Sequence, residues 1–386
     1  MAAKKELNTP QIVSDARQVA LDTLKKNLNK KFGDGTLSKA GEIMDLHDNY
    51  TSYSTGSLSL DAALGTNGAP SKRVIEIAGP EHAGKTSLAL CIAASAQRAG
   101  KVPVYIDNEH GLDPKWAETL GVDWNNLFRA QFDNIDDCFQ AMSAMIQSDA
   151  VDVIILDSLT SLPMKRSTEE KGSDTAGIEL ASTEHLQRAN LITKFFQNNL
   201  NFLDKHDVSL VIINQVREKI GGMKSMGGGP TYYTPGGMGA KHAASQRVFL
   251  KPKLDYALGV IKGIGATYEI KKNRMARPYT KGEIWYTKDG IEQKDDLFIL
   301  AANYGLYQKP ETGSTYKPSA ELIEVLGLEE DKYVGVDKFK SSLFSTKESI
   351  EKFKTLVKGK MERGVAVEIL EEAVAQSLVV EDYDEE

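Results

Sequence analysis

Cysteine is nearly missing from this 386-residue chain. Two residues, Cys91 and Cys138, are too few for a disulfide framework or a cysteine-rich metal site. Both fall in segments that read as helices, where they serve as small buried hydrophobes. Long apolar runs are also missing. No stretch approaches the ~20 residues that cross a bilayer, so a membrane partner is not expected. The opening MAAKKELNTPQIVSD has no apolar core of signal-peptide type, and the expected location is the cytoplasm. No internal repeat is detectable. Hydrophobic residues make up 41% and charged residues 26%, which is ordinary for a globular chain long enough for one sizeable core and smaller units beside it.

Positive charge is in deficit overall, with a formal net charge of −7. Its distribution matters more. Between Val211 and Lys281, 13 Lys and Arg face 3 Asp and Glu, a local surplus of +10 that leaves −17 for the rest of the chain. Such a concentrated basic stretch can bind a phosphate backbone despite an acidic total.

Apolar residues at helical spacing (Val13, Ala16, Ala20, Leu21, Leu24, Leu28) predict an amphipathic helix over residues 10–32, stopped by FGDG. From Tyr53 onward the pattern alternates. RVIEIAG (73–79), VPVYIDNE (102–109), VDVIILDS (151–158) and VSLVIINQ (208–215) are short, β-branched-rich apolar runs of the kind buried on both faces of a parallel sheet. Helical stretches such as TSLALCIAASAQRAG and EHLQRANLITKFFQNNLNFLDKH separate them, giving a βαβ layout. GATYEIKKNR (265–274) and GEIWYTKDG (282–290) alternate polar with apolar, as a more exposed sheet edge does. Past about residue 295 the chain reads as a small, mostly helical C-terminal domain. ESIEKFKTLVKGKM sets Ile350, Phe353 and Val357 on one face, with Ser345 and Glu348 spaced as a capping box. AVEILEEAVAQSLVV is a second amphipathic helix, and EDYDEE (381–386) is acidic at five of six positions.

GPEHAGKT (Gly79, Pro80, Glu81, His82, Ala83, Gly84, Lys85, Thr86), with Ser87 next, fits G-x-x-x-x-G-K-[ST] between a strand and a helix. Glycines let backbone N–H groups turn toward phosphates at the positive end of a helix. Lys85 reaches the terminal phosphates, and the Thr86 hydroxyl suits Mg²⁺. ATP with Mg²⁺ is the expected ligand. Asp157, ending an apolar strand, supplies the second Mg²⁺-side group. Asp107, Glu109 and Asp113 cluster after another strand. Glu109, just past its C-terminal end, is the candidate for deprotonating the attacking water. His82 and His110 read as incidental polar residues, and Trp116 as a ring that stacks adenine or packs the core. Gln215 ends the fourth strand, where its amide can touch a γ-phosphate and pass the contact onward.

The segment NQVREKIGGMKSMGGGPTYYTPGGMGAKH (214–242) has eight glycines and no hydrophobic period. Glycine is costly to order, so nothing here builds a core. Glycines such as Gly236 and Gly237 allow close approach, Arg217, Lys219, Lys224 and Lys241 bring charge, and Tyr232 and Tyr233 can stack on bases. Single-stranded DNA is the partner that uses all three features.

Together these motifs resemble the bacterial RecA recombinase family, phage-encoded members included. The resemblance runs from the N-terminal helix through about residue 310 and more loosely to the acidic tail. STGSLSLDAALG (54–65) is its most specific stretch, with GPEHAGKT, DNEHGLDPKWAETLGVD, VDVIILDS and INQVREKIG. It implies a P-loop NTPase core with a mainly parallel central sheet flanked by helices, an N-terminal helix and a small C-terminal α/β domain. The corresponding boundaries are residues 1–35 for an oligomerisation helix, 36–294 for the ATPase core, 295–372 for the small domain and 373–386 for an acidic tail. The stretches at about 163–177 (with Lys165 and Arg166) and 216–239 would be two DNA-binding loops. Glu109 is similar to the family's water-activating carboxylate and Gln215 to its γ-phosphate sensor, with Lys85 at the phosphates. Asp113 and Trp116 match positions near adenine, Trp standing where Tyr is common. IKKNRMARP resembles the segment that reaches a neighbour's ATP, making Lys272 and Arg274 two in-trans cations.

The implied activity is an ATP-dependent helical filament on single-stranded DNA that then engages double-stranded DNA, searches for homology and exchanges strands. Single-strand-binding and loading proteins are possible further partners. Departures from the family pattern are a longer second loop with its own tip (KSMGGGPTYYTP), His242 at an aromatic interface position, and Ala181 at a basic one. They favour a divergent, phage-type member. A hexameric P-loop helicase, and a non-catalytic DNA-binding accessory protein, stand as alternatives.

Overall fold

The computed structural model describes residues 15–33, 36–39, 49–165, 177–218, 232–233, 237–257, 260–310 and 313–362. The chain divides into two units, residues 1–50 and 51–386. In the first, the N-terminal apolar pattern forms α1 (Asp15–Phe32). The expected helical residues 10–14 lie outside the described residues. Val19, Leu21 and Leu24 are exposed along α1.

The second unit is built on a sheet of nine strands. In chain order these are β1 (Val74–Gly79), β2 (Pro103–Asp107), β3 (Phe128–Ala130), β4 (Val153–Asp157), β5 (Ser209–Gln215), β6 (Gln246–Ala257), β7 (Val260–Asn273), β8 (Lys281–Thr287) and β9 (Gly290–Ile291). Their spatial order is β9-β8-β7-β6-β1-β5-β4-β2-β3. The run β6-β1-β5-β4-β2-β3 is parallel, and β7, β8 and β9 extend it antiparallel. The alternating segments 265–274 and 282–290 fall in this antiparallel end. The long β6, which carries four interspersed polar or charged residues before Asp255, gives no clean period in sequence and is a strand by virtue of its two neighbours.

Both faces of the parallel part are covered, which is why its strands read as continuous apolar runs. Ile75, Ile77, Tyr105, Ile155, Val211 and Ile213 point to one side, where α2 (Leu58–Leu64) and α3 (Lys85–Arg98) pack. Val74, Val104, Ile106, Ile154, Leu156 and Ile212 point to the other. There they meet α5 (Ile135–Ile146), α6 (Gly177–Lys205) and α7 (Gly237–Ala243). Each fully buried Ile or Leu contributes ~1.5–3 kcal/mol, so these two layers hold the strand ends in place. A short α4 (Pro114–Thr119) comes after β2. Cys91 and Cys138 are free and buried, as expected.

The C-terminal segment contains α8 (Lys294–Asn303), α9 (Ala320–Leu326), α10 (Val336–Leu343) and α11 (Lys347–Glu362) around a three-stranded sheet, residues 307–308, 315–318 and 333–334. It is mostly helical, as the pattern predicts, with a small sheet that makes it α/β. Phe339 sits at its centre, its ring 5.0–5.9 Å from those of Phe298, Tyr307, Tyr316 and Tyr333. The helix expected over 348–361 is present, but its cap is Thr346 rather than Ser345: Ser349 N donates to Thr346 Oγ1 at 3.0 Å. The second C-terminal helix and the acidic tail lie outside the described residues.

Candidate active site

Four parallel strands bring their C-terminal ends together. Gly79 of β1 pairs with Gln215 of β5, and Asp107 of β2 with Asp157 of β4. This crevice is where α/β sheets gather their ligands, because side chains from separate strands converge there with no helix in the way.

The phosphate loop joins β1 to α3. Gly84 sits in the left-handed region with φ 82° and precedes α3 without any side-chain cap. The first N–H groups of α3 are therefore free of side-chain acceptors and aimed at the loop. Glycine is required at both ends of the motif. A Cβ on Gly79 would lie 2.6 Å from Leu250 O, and one on Gly84 would lie 2.0 Å from Tyr286 Oη. A left-handed non-glycine residue costs ~1–2 kcal/mol before any clash, so Gly84→Ala is expected to weaken nucleotide binding about tenfold or more. Titration with a fluorescent ATP analogue reads this directly, and unchanged affinity would remove Gly84 from the site.

Lys85 is 8% exposed and donates from Nζ to Pro80 O at 2.7 Å. Burial lowers its ammonium below the usual lysine value, while Asp157, Glu109 and Glu81 pull it back up. Thr86 Oγ1 donates to Asp157 Oδ2 at 2.9 Å, and Tyr105 Oη donates to the same oxygen at 2.7 Å. Burial pushes the Asp157 carboxyl up to about 6, opposed by the Tyr105 and Thr86 hydrogen bonds and assisted by the Glu109 charge.

Glu109 projects from beyond β2 and is exposed. Its Oε1 accepts from Gln215 Nε2 at 3.0 Å and from the Ser158 hydroxyl. The carboxylate is thus joined directly to the end of β5, from which the glycine-rich loop departs. Trp116 Nε1 donates to Ser87 Oγ at 3.0 Å, which sets the indole edge beside the first turn of α3. Asp113 has another role in the fold: its Oδ1 accepts from Lys115 N at 3.0 Å and caps α4.

A cleft of about 1240 Å³ lies beside the loop, lined by Glu81 to Ser87, Trp116, Tyr286 and Lys288, and by Pro252, Leu254 and Ile264 of the β6–β7 hairpin. The fit to a nucleotide is physical. The glycine cradle admits phosphates, no ion pair among the described residues joins the buried ammonium to a carboxylate, and apolar and aromatic groups stand beside it for a base. Thr86 and Asp157 form a hydroxyl–carboxylate pair of the hard-oxygen kind that Mg²⁺ prefers. Among the described residues no group of three or more His, Cys, Asp or Glu could hold a metal.

Lys272 and Arg274 do not line this cleft. Lys272 Nζ donates to Lys241 O at 2.8 Å and His242 O at 3.2 Å, and Arg274 Nη2 donates to His242 O at 3.1 Å. Both cations are held at the C-terminal end of α7. Of the expected DNA contacts, Lys165 is exposed and paired with Asp137 at 2.9 Å. Arg217–Glu218 and Tyr232–Tyr233 form a two-residue antiparallel pairing that closes the base of the second loop. Gly237 opens α7, and Lys241 sits in its last turn. Arg166, Lys219, Lys224 and Gly236 lie outside the described residues.

Sequence reasoning passed over Tyr105, Ser158, Tyr286, Lys288 and the hairpin. Tyr105 had one signal, a hydroxyl inside an apolar strand two residues before Asp107. Tyr286 had none, since its contact with Gly84 spans 202 positions.

A family model described as the RecA N-terminal domain matches residues 19–292. A Protein RecA of Macrococcus caseolyticus is 38% identical over 311 residues, covering 80% of this chain and 83% of the relative. One of Staphylococcus aureus is 35% identical over 309 residues, covering 79% and 84%. The chain belongs to the RecA family. RecA-family proteins are DNA-dependent ATPases of recombination and repair that bind DNA and assemble into filaments, and this chain shares that activity. The helicase alternative draws no support from these relatives. No helix among the described residues is long and apolar enough to cross a membrane.

Proposed function

We propose that this RecA-family chain hydrolyses ATP with Mg²⁺ at the phosphate loop and uses the cycle to control a filament first on single-stranded and then on double-stranded DNA. The observation that carries this reading is the 3.0 Å bond from Gln215 Nε2 to Glu109 Oε1. It ties the candidate base to the strand that opens the glycine-rich loop, so occupancy of the phosphate site and the conformation of the DNA loop are alternatives for one amide.

In this reading Lys85 and the loop from Gly79 to Ser87, through the N–H groups of its residues other than Pro80, hold the phosphates, and Thr86 and Asp157 would hold the metal. A bound Mg²⁺ would neutralise phosphate charge. Glu109 orients and deprotonates the attacking water. Gln215 leaves Glu109 when a γ-phosphate arrives and carries the change into residues 216–239. Trp116 lies against the base, with Asp113 supporting it through α4. Arg217, Lys219, Lys224, Tyr232, Tyr233, Gly236, Gly237 and Lys241, with Lys165 and Arg166 of the first loop, contact DNA.

Lys272 and Arg274, which do not line their own cleft, exchange their α7 carbonyl partners for a neighbour's ATP in this reading, so that nucleotide lies at the subunit interface. The exposed apolar residues of α1 are the natural dock onto that neighbour, since a lone amphipathic helix must bury its stripe. The domain boundaries at 35, 294 and 372, the acidic tail, a cytoplasmic location, and single-strand-binding or loading proteins as partners belong to the same proposal.

The deciding experiment measures ATP hydrolysis with and without single-stranded DNA, with electron microscopy of the same mixtures. Strong stimulation with open helical filaments is expected, because a heterologous interface that does not close gives a helix. Stimulation with closed rings, or neither stimulation nor filaments, would overturn the reading.

A further inference from the structure

A second cleft, of about 610 Å³, opens where the last turn of α3 meets α11, and Arg98, Lys354 and Lys358 converge on it. The nucleotide cleft lies at the opposite end of α3, roughly 20 Å away at 1.5 Å per residue. α11 turns Phe353 and Val357, both fully buried, into the C-terminal core. Lys354 and Lys358 each come one position later and stand one helical turn apart on the flank that borders the cleft. The Arg98 guanidinium is seated over Gly121, where a Cβ would come within 3.2 Å of Nη1.

These three cations differ from their neighbours. Lys352 and Lys360 of the same helix are paired with Glu348 at 2.8 Å and Glu321 at 2.6 Å. Among the described residues, no ion pair joins Arg98, Lys354 or Lys358 to a carboxylate. Burial lowers the Lys354 ammonium below its usual value, and the charges of Lys358 and Arg98 lower it further against the pull of Glu351. The rest of the lining includes the Ser54 and Ser95 hydroxyls and a single carboxylate, Asp289. Ser95 Oγ accepts from Ser54 N at 2.9 Å, which leaves its own proton to donate into the cleft.

Like charges gathered in a partly desolvated concavity repel one another, and an anion seated among them turns that repulsion into attraction. A planar guanidinium, two ammonium groups and a hydroxyl donor suit the several oxygens and double charge of a phosphoryl group. We infer that this cleft binds a phosphoryl group, held by Arg98, Lys354 and Lys358, independently of the nucleotide cleft. Two sources carry that group, a free oligophosphate and the DNA backbone, and the test separates them.

With the phosphate loop filled by Mg²⁺ and a non-hydrolysable ATP analogue, tripolyphosphate is titrated into the full chain by calorimetry. Binding is expected, and Lys354→Ala with Lys358→Ala should weaken it at least tenfold while Lys352→Ala leaves it unchanged. If the source is DNA instead, tripolyphosphate gives no heat, and the double variant lowers the salt slope of duplex binding by about two, one unit per lost phosphate contact. Should the double variant melt early, Lys358→Ala alone, at an exposed position, carries the same comparison. Absent tripolyphosphate binding together with an unaltered duplex slope overturns the inference. So does an equal loss in Lys352→Ala.

Discussion

Exchanging Glu109 for Gln is expected to lower ATP turnover by about 10²–10⁴-fold while nucleotide affinity holds, the range a positioned general base contributes. The substitution isolates the proton. A glutamine side chain keeps an oxygen where Oε1 accepts from Gln215 at 3.0 Å and from Ser158, so the local hydrogen-bonding frame survives. Only the capacity to take a proton from water is lost. Neither the glycine cradle nor Lys85, 8% exposed and anchored on Pro80 O, touches the altered atom. The measurement is steady-state phosphate release beside equilibrium binding of an ATP analogue, both with single-stranded DNA. Retained turnover would remove Glu109 as the base. Lost binding would make it a structural support of the cleft instead.

The largest expected loss of stability lies in β1, at the centre of the sheet. Glu76 sits in β1, 1% exposed, three residues before the phosphate loop. Asn214 Nδ2 of β5 donates to its Oε1 at 2.9 Å, and Arg247 of β6 donates to its Oε2. Glu76→Ala deletes the carboxylate from between those two donors, and breaking a buried pair by removing one partner costs about 3–5 kcal/mol. A pair replaced on both sides by apolar groups of similar volume is often neutral. Glu76→Met combined with Arg247→Leu should therefore recover most of the loss. Urea denaturation of the single and double variants checks this. A cost under about 1 kcal/mol for the single variant, in the range of an exposed ion pair, would show that the carboxylate is not committed to the fold.

Much of the candidate site was readable along the chain because its parts are local. The loop from Gly79 to Thr86 needs a strand, a tight turn and a helix start in succession, and each leaves its mark within a few residues. Asp157 was readable as the polar end of an apolar strand. The same holds for β1, β2, β4 and β5, whose burial on both faces writes a continuous apolar run. The strand β6 was not legible because its ladder comes from β1 and β7 rather than from any period of its own. The N-terminal cap of α11 is Thr346 rather than Ser345: the capping-box spacing of Ser345 and Glu348 points one residue too early, because the helix starts at Lys347 and the Thr346 hydroxyl takes the Ser349 N–H.

By itself the sequence determined the class of chemistry: a glycine-rich turn, a lysine, a hydroxyl and strand-end carboxylates suffice to name a phosphate site, and the glycine-rich basic loop marks a second ligand. Only the tertiary structure decided which of those residues share an atom. It joined Glu109 to Gln215 across 106 positions, Trp116 to Ser87 across 29, and Tyr286 to Gly84 across 202. It also held Lys272 and Arg274 on the end of α7 and brought Lys354 and Lys358 to Arg98. The physical reason is that backbone turns and hydrophobic periods are short-range and recur in the order of the chain. Contacts between side chains depend on strand order, and β1 lies between β5 and β6 only after more than a hundred intervening residues have folded around it.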